Sequence, residues 1–186
     1  RLMCGDSTVK EDVEKLMDGK KADMVFTDPP YGVNYHGATS SMYYNKGRKG
    51  KERDKIIGDE NTEIYKKFVP IMKENVSGPM YIFCGAGKEI DVLMVFRENS
   101  LILINTLIWD KMRFGGHALN ANYKPRFEMF YYVIRKNASR LWAGKNNEET
   151  LWQLERDNKT EFHTTQKPIA LAMRAITNHT AKLILD

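Results

Sequence analysis

Short apolar runs alternate with amphipathic stretches along most of the chain, which is the pattern of an α/β fold. Runs typical of buried strands lie at 1–4, 22–27, 80–84, 101–109, 127–134 and 181–185. Helical stretches are predicted at 7–17, 62–76, 89–98 and 168–178. Helices separate most of the strands, so we predict a mainly parallel sheet. No helix separates 101–109 from 127–134, and we expect these two strands to form an antiparallel pair at one edge.

Composition sets limits on the class of protein. The 186 residues, 42% of them hydrophobic, are enough for one domain with a core. Apolar stretches stay shorter than the roughly 18 residues of a membrane span, and the first ten residues lack the apolar run of a signal peptide. We therefore expect a cytoplasmic protein. A net charge of +5 slightly favours an anionic partner such as nucleic acid.

Cysteine and histidine residues suggest no metal site. Cys4 and Cys84 each lie in or at the end of a short apolar run, so we expect two buried free thiols in a reducing compartment. The histidines are scattered, and no Cys/His spacing suits zinc.

The sequence Thr27-Asp28-Pro29-Pro30-Tyr31 directly follows a buried strand. Two consecutive prolines cannot continue a central strand, so the chain leaves the sheet there. Ligands of open α/β sheets bind just beyond the carboxyl ends of the strands. The prolines lack N–H groups, so carbonyl and carboxylate acceptors gather beside an aromatic ring.

Such an acceptor site suits an exocyclic amino group, whose N–H donors lie on a flat heterocycle. Hydrogen bonds from the amine to Asp28 and a proline carbonyl would localise the nitrogen lone pair, and Tyr31 would stack on the base. Direct methyl transfer from a sulfonium then requires positioning and no covalent enzyme intermediate. The alternative is an ordinary proline turn with Asp28 solvated and Tyr31 packed.

The segment MCGDSTVKEDVEKLMDGKKADMVFTDPPYGVNY resembles the opening of amino-methylating DNA methyltransferases of the permuted, beta-type order. In that family a Gly-Asp pair, a short helix and a buried strand precede Asp-Pro-Pro-Tyr. Later segments match in the same order: LIWDK at 107–111, RFEMFYYVIRK at 126–136, HTTQKPIALAMRAI at 163–176 and AKLILD at 181–186. The resemblance implies a Rossmann-like sheet that uses S-adenosylmethionine.

The resemblance also implies site residues. The target amine and base would be held by Asp28, Pro29, Pro30 and Tyr31. Asp6 would lie near the cofactor's adenine, although an aspartate there is also a common helix N-cap. The other implied cofactor-binding residues are Thr165, Gln166, Lys167, Pro168 and Asp186. Trp109 and Lys111 match a family strand end, with core packing and a surface charge as the alternatives.

Double-stranded DNA would be the partner, with the target base flipped out of the helix. We expect a mobile basic loop at 36–58 whose cations hold phosphates, the alternative being a solvated loop. These cations are Lys46, Arg48, Lys49, Lys51 and Arg53. By position, 136–162 resembles a short target-recognition region, with candidates Arg140, Lys145, Arg156 and Lys159.

The chain departs from the family pattern at Asp186, where the glycine-rich cofactor loop would follow. Gly85-Ala86-Gly87 is no substitute, because it follows a different strand and lacks a third glycine. We therefore expect 1–186 to be a single incomplete catalytic domain, truncated before that loop. Exposed sheet edges would then favour a homo-oligomer or a complementing polypeptide.

The leading hypothesis is methylation of the 6-amino group of adenine, because the resemblance favours adenine when Asp precedes Pro-Pro-Tyr. Methylation of the 4-amino group of cytosine is the nearest alternative. A non-catalytic DNA-binding fragment or degenerate methylase is the alternative from another class.

Overall fold

The computed structural model describes residues 1–33, 56–113, 122–155 and 166–186. The helices are α1 Lys10–Met17, α2 Glu63–Asn75, α3 Glu89–Glu98 and α4 Ile169–Thr177. The strands are β1 Met24–Thr27, β2 Met80–Cys84, β3 Leu101–Asp110, β4 Phe127–Arg135, β5 Leu151–Gln153 and β6 Ile184–Leu185. None of the described helices is long and apolar enough to cross a membrane.

The strands form one mostly parallel sheet in the order β5-β3-β4-β2-β1-β6. β1 is parallel to β2 and β6, and β3 is parallel to β5. β4 is antiparallel to both of its neighbours, β2 and β3. The predicted antiparallel pair of β3 and β4 is therefore confirmed, but its position at the edge is wrong. The short strand β5 pairs with β3 and moves that pair into the interior.

Side chains alternate between two apolar layers on the two faces of the sheet. On β2, Met80, Ile82 and Cys84 pack in the layer that holds α1, α2 and α3. Tyr81 and Phe83 point to the other layer, which includes α4 and Trp152 of β5. The continuous apolar run of β2 thus reflects burial on both faces, as expected for an inner strand.

The N-terminal residues differ from the prediction. Residues 1–4 form no strand, Leu2 is fully exposed, and Cys4 is exposed, whereas Cys84 is buried as expected. α1 begins at Lys10 rather than at 7, because Asp6 makes a turn first: its carboxylate accepts hydrogen bonds from the Thr8 N–H and hydroxyl. Asp6 is consequently not the N-cap of α1, which is Val9.

His179 joins the segment before β5 to the sheet. Its Nδ1 lies 2.7 Å from the Arg140 carbonyl oxygen, and its Nε2 lies 2.8 Å from the Tyr81 hydroxyl. A carbonyl oxygen can only accept, so Nδ1 carries a proton. Burial lowers the pKa of His179 below its ordinary value, which favours the neutral ring, and in a neutral ring Nε2 accepts the hydrogen bond of the Tyr81 hydroxyl.

We expect Tyr81→Phe to destabilise the fold by about 1–3 kcal/mol, because it leaves the buried Nε2 of His179 without a donor. Urea unfolding measures the change. Tyr132→Phe is the matched control, since the Tyr132 hydroxyl is buried and has no hydrogen-bond partner among the described residues. Loss of that hydroxyl should be neutral or stabilising. Equal losses in the two variants would contradict the His179 assignment.

Stability should also depend on pH through His179. Its pKa is lower in the folded protein than the value of 6.5 expected for an exposed histidine, so the unfolded chain binds the proton more tightly. The contribution is full above pH 6.5 and is lost as the pH falls through the folded pKa. Unfolding free energies between pH 5 and 7.5 should show this slope, and His179→Asn should flatten it. An unchanged slope in that variant would contradict the prediction.

Candidate active site

Four strand ends converge at one edge of the sheet. Asp28 follows β1 directly, Gly85 follows β2, and Lys111 follows β3. β4 runs in the opposite direction, so its beginning, with Glu128, lies at the same edge. The structure places Asp28–Tyr31 beyond the carboxyl end of a central strand, as predicted.

Five side chains come together at this edge as a candidate active site, hereafter called the active-site cluster: Asp28, Tyr31, Lys111, Glu128 and Lys167. The Tyr31 hydroxyl lies 2.7 Å from Asp28 Oδ1 and 3.1 Å from Glu128 Oε2. Lys167 Nζ lies 2.6 Å from Asp28 Oδ2, 3.0 Å from Glu128 Oε2 and 3.0 Å from the Tyr31 oxygen. Lys111 Nζ lies 3.4 Å from Glu128 Oε1.

The active-site cluster pairs two carboxylates with two ammonium groups. Side-chain exposure is 33% for Asp28, 15% for Glu128, 14% for Lys167 and 9% for Lys111. Asp28 is thus the charged group most open to an incoming molecule. Burial raises the pKa of Tyr31 far above its ordinary value, and the Asp28 and Glu128 carboxylates raise it further. Tyr31 therefore stays protonated and acts as a donor to carboxylates.

Apolar and backbone contacts fix the Tyr31 ring. A Cβ atom at Gly85 would lie 2.7 Å from Tyr31 Cβ, so only glycine permits this close approach at the end of β2. The Lys167 ammonium lies 5.3 Å from the Tyr31 ring centre and 4.9 Å from that of Phe83. Both distances are within the range of cation–π attraction.

Arg126 and Asp110 hold the beginning of β4 against the end of β3. The guanidinium donates to both Asp110 oxygens, at 2.6 and 2.7 Å. This pairing, with help from the Met112 N–H, lowers the pKa of Asp110 to about 2. Glu128 lies two residues after Arg126, so the ion pair also fixes where Glu128 enters the active-site cluster.

Comparisons with known proteins bear on what this edge does. Residues 22–186 match the N6/N4 methyltransferase family model, described as DNA methylase. The chain belongs to this DNA methylase family. The resemblance to amino-methylating DNA methyltransferases is thereby confirmed.

A protein of similar sequence and two crystal structures of similar fold are consistent with this family. Type II methyltransferase M2.MboI of Moraxella bovis is 26% identical over 194 residues, which cover 88% of this chain and 67% of that protein. The crystal structure of the M1.HpyAVI–SAM complex matches with a TM-score of 0.63 at 22% identity, over 96% of this chain and 76% of that one. A second M1.HpyAVI structure matches with a TM-score of 0.62 at 18% identity, over 96% and 74%. The expected methyltransferase fold is thus confirmed.

The sequence-predicted cofactor residues of this DNA methylase are dispersed around the same edge. Asp6 and Pro30 line one cavity of about 840 Å³. Pro168 is the N-cap of α4, so the helix begins at Ile169, one residue later than predicted. Gln166 Oε1 is buried without a hydrogen-bond partner among the described residues. Asp186 has its pKa raised by partial desolvation and by the nearby Asp28 carboxylate.

Other predicted residues separate into four groups. Trp109 is buried and donates its indole N–H to the Leu154 carbonyl at 2.8 Å, which agrees with core packing. Lys111 is buried and paired, so a surface charge is the wrong interpretation. Arg140 and Lys145 line a cavity of about 350 Å³ beside Trp142. Outside the described residues lie Lys46, Arg48, Lys49, Lys51, Arg53, Arg156, Lys159 and Thr165.

Neither Glu128 nor Asp59 was assigned a role from the sequence, although Glu128 lies in the quoted segment RFEMFYYVIRK. Glu128 was available as a signal, since it is the only acidic residue of β4, an otherwise mainly apolar strand. Asp59 carried no signal, because its partners lie 27 and 26 residues earlier in the chain. In the part of the chain that the structure describes, no group of three or more His, Cys, Asp or Glu is placed to hold a metal ion.

Asp59 fixes the exit of the Asp-Pro-Pro-Tyr turn. It is 1% exposed, and its Oδ1 accepts hydrogen bonds from the Gly32 N–H at 2.8 Å and the Val33 N–H at 3.3 Å. Gly32 has a φ of 71°, and a Cβ there would lie 2.4 Å from the Asn61 carbonyl carbon. The turn therefore packs directly against the segment before α2.

We expect Asp59→Ala to lower the free energy of unfolding by about 1–3 kcal/mol, because two amide groups lose their acceptor. Urea unfolding gives the value. Asp59→Asn keeps an acceptor oxygen of the same reach and should recover most of the loss. If alanine and asparagine destabilised the protein equally, the hydrogen bonds to Gly32 and Val33 would not be the cause.

Proposed function

We propose that this DNA methylase transfers the methyl group of S-adenosylmethionine to the 6-amino group of adenine in double-stranded DNA. The single observation that carries the proposal is the partly open Asp28 carboxylate beside Tyr31, at the edge where strands end. Membership of the DNA methylase family supports the reaction class. The similar M1.HpyAVI structure is a complex with SAM, which supports the methyl donor.

The described residues fit such a methyl donor. The cavity lined by Asp6, Pro30 and Asn61 adjoins the Asp-Pro-Pro-Tyr turn, and Gln166 offers a buried oxygen without a partner among the described residues. When bound, S-adenosylmethionine supplies an electrophilic methyl group on a sulfonium. Asp6 would face its adenine, and Gln166, Lys167 and Pro168 its methionine end, as would Thr165. Asp186 would complete this set.

In the proposed reaction Asp28 orients the amino nitrogen. The Asp28 carboxylate and the Pro29 carbonyl accept hydrogen bonds from the two N–H groups of the amine. Pro30 shapes the turn, and the Tyr31 ring supports the flipped base. The lone pair then forms the new N–C bond as the C–S bond breaks, and the nitrogen gains positive charge. A carboxylate beside that nitrogen stabilises the transition state and can accept the proton that the nitrogen loses.

Position also supports a DNA-binding role for the segment at 34–55. Val33, at its beginning, is hydrogen-bonded to Asp59, close to its end. The segment that carries Lys46, Arg48, Lys49, Lys51 and Arg53 thus begins next to the Asp-Pro-Pro-Tyr turn in the sequence. Contact of these cations with phosphates remains a prediction, as do the recognition region at 136–162, a cytoplasmic location, and a homo-oligomer or complementing polypeptide.

The test is transfer of labelled methyl from S-adenosylmethionine to mixed-sequence DNA, followed by nucleoside analysis. We expect label in N6-methyladenine, and a loss of at least about 100-fold in Asp28→Ala. Glu14→Ala, which removes an exposed carboxylate of α1, is the control and should keep full activity. Label in N4-methylcytosine would favour the cytosine alternative. DNA binding without any transfer would favour a non-catalytic fragment.

A further inference from the structure

Glu128 contacts most of the active-site cluster although it lies outside the Asp-Pro-Pro-Tyr turn. Its Oε2 is 3.0 Å from Lys167 Nζ and 3.1 Å from the Tyr31 hydroxyl oxygen. Its Oε1 is 3.4 Å from Lys111 Nζ. One partly buried carboxylate thus bridges both ammonium groups and the hydroxyl that also contacts Asp28.

Lys167 is shared between two carboxylates. Its ammonium lies 2.6 Å from Asp28 Oδ2 and 3.0 Å from Glu128 Oε2. A small displacement of this one group therefore changes which carboxylate it neutralises. The Tyr31 oxygen, at 3.0 Å, is within reach of the same ammonium in either position.

In the proposed reaction Asp28 must accept a hydrogen bond from the amino group of the target base and not from Lys167. An amino group that gains positive charge beside Asp28 is stabilised by a carboxylate whose charge is not already neutralised. An ammonium held at 2.6 Å from that carboxylate opposes the same charge. Methyl transfer and the contact between Lys167 and Asp28 are therefore in conflict.

We propose that Glu128 is a positioning residue that takes over the Lys167 ammonium when the amino group of the target base binds Asp28. The inference rests on the proposed function. Glu128 keeps Lys167 and Tyr31 in the site while Asp28 turns to the substrate. Without the charge of Glu128, Asp28 would be the one carboxylate left to neutralise Lys167, and the ammonium would stay on Asp28.

The test uses Glu128→Gln, which keeps the shape of the side chain and removes its charge. We expect kcat to fall at least about tenfold, while the KM values for DNA and S-adenosylmethionine change less than about threefold. Glu74→Gln is the matched control, because Glu74 also pairs with a lysine, Lys10, but this pair is exposed and Glu74 lies near the end of α2. It should leave both parameters unchanged.

A binding measurement reports on Asp28 without catalysis. Once product analysis has located the methylated base, duplexes with adenine or purine at that position are compared in the presence of S-adenosylhomocysteine. Purine is adenine without the amino group. If the product is methylcytosine, the duplexes carry cytosine or pyrimidinone instead, because pyrimidinone is cytosine without the amino group. The wild type should prefer the amino base about tenfold, and Glu128→Gln about twofold or less. Comparing proteins on the same duplexes cancels the contribution of the DNA.

Lys167→Met separates positioning from a general structural effect. In that background no ammonium competes for Asp28, so adding Glu128→Gln should change the amine preference less than about twofold. Equal effects of Glu128→Gln in both backgrounds, or none in either, would overturn the proposal. If Glu128→Gln does not fold, the test rests on Lys167→Met alone. Its preference for the amino base should equal or exceed that of the wild type, and a lower preference would refute the inference.

Failure of the inference can be told apart from failure of the proposed function. A wild-type protein that transfers no methyl group would refute the proposed function and the inference with it. A wild type that methylates DNA, combined with an unaltered amine preference in Glu128→Gln, would refute the role of Glu128 alone.

Discussion

Strand direction decides which side chains meet at the active-site edge. β1, β2 and β3 end there, and β4 begins there because it runs opposite to its neighbours. A parallel strand in that place would put the Glu128 end of β4 at the far side of the sheet, about 25–30 Å away for a nine-residue strand. The single reversed strand is therefore what lets residues 97 positions apart share a hydrogen bond.

Charge balance is the second constraint on this edge. Asp28, Glu128, Lys111 and Lys167 contribute two charges of each sign, all with limited exposure. Buried ion pairs gain little in net stability, since desolvation offsets their attraction. Such a cluster is therefore not expected to add much to stability, and it is the surrounding strands that hold it in place. Tyr31, which stays protonated, links the two carboxylates without adding charge.

Local signals predicted much of this molecule. β2 and α3 have the predicted bounds, and the position of Asp28–Tyr31 followed from a buried strand and two prolines. β5 was missed because three residues in a polar segment have no periodicity to recognise, and pairing with β3 is what orders them. Asp59 had no sequence signal, and Glu128, an acidic residue in an otherwise mainly apolar strand, was given no role. Their partners are brought together by the fold and not by sequence spacing.

The hydrogen bonds from Gly32 and Val33 to Asp59 have a consequence for variation among proteins of this kind. They close the chain around residues 34–55 at a fixed point, so the turn before that segment is held independently of the segment's length. Doubling the length of a closed loop costs only about 0.6 kcal/mol in entropy. Insertions, deletions or grafted loops between Val33 and Asp59 are therefore expected to leave the Asp28–Tyr31 turn in place.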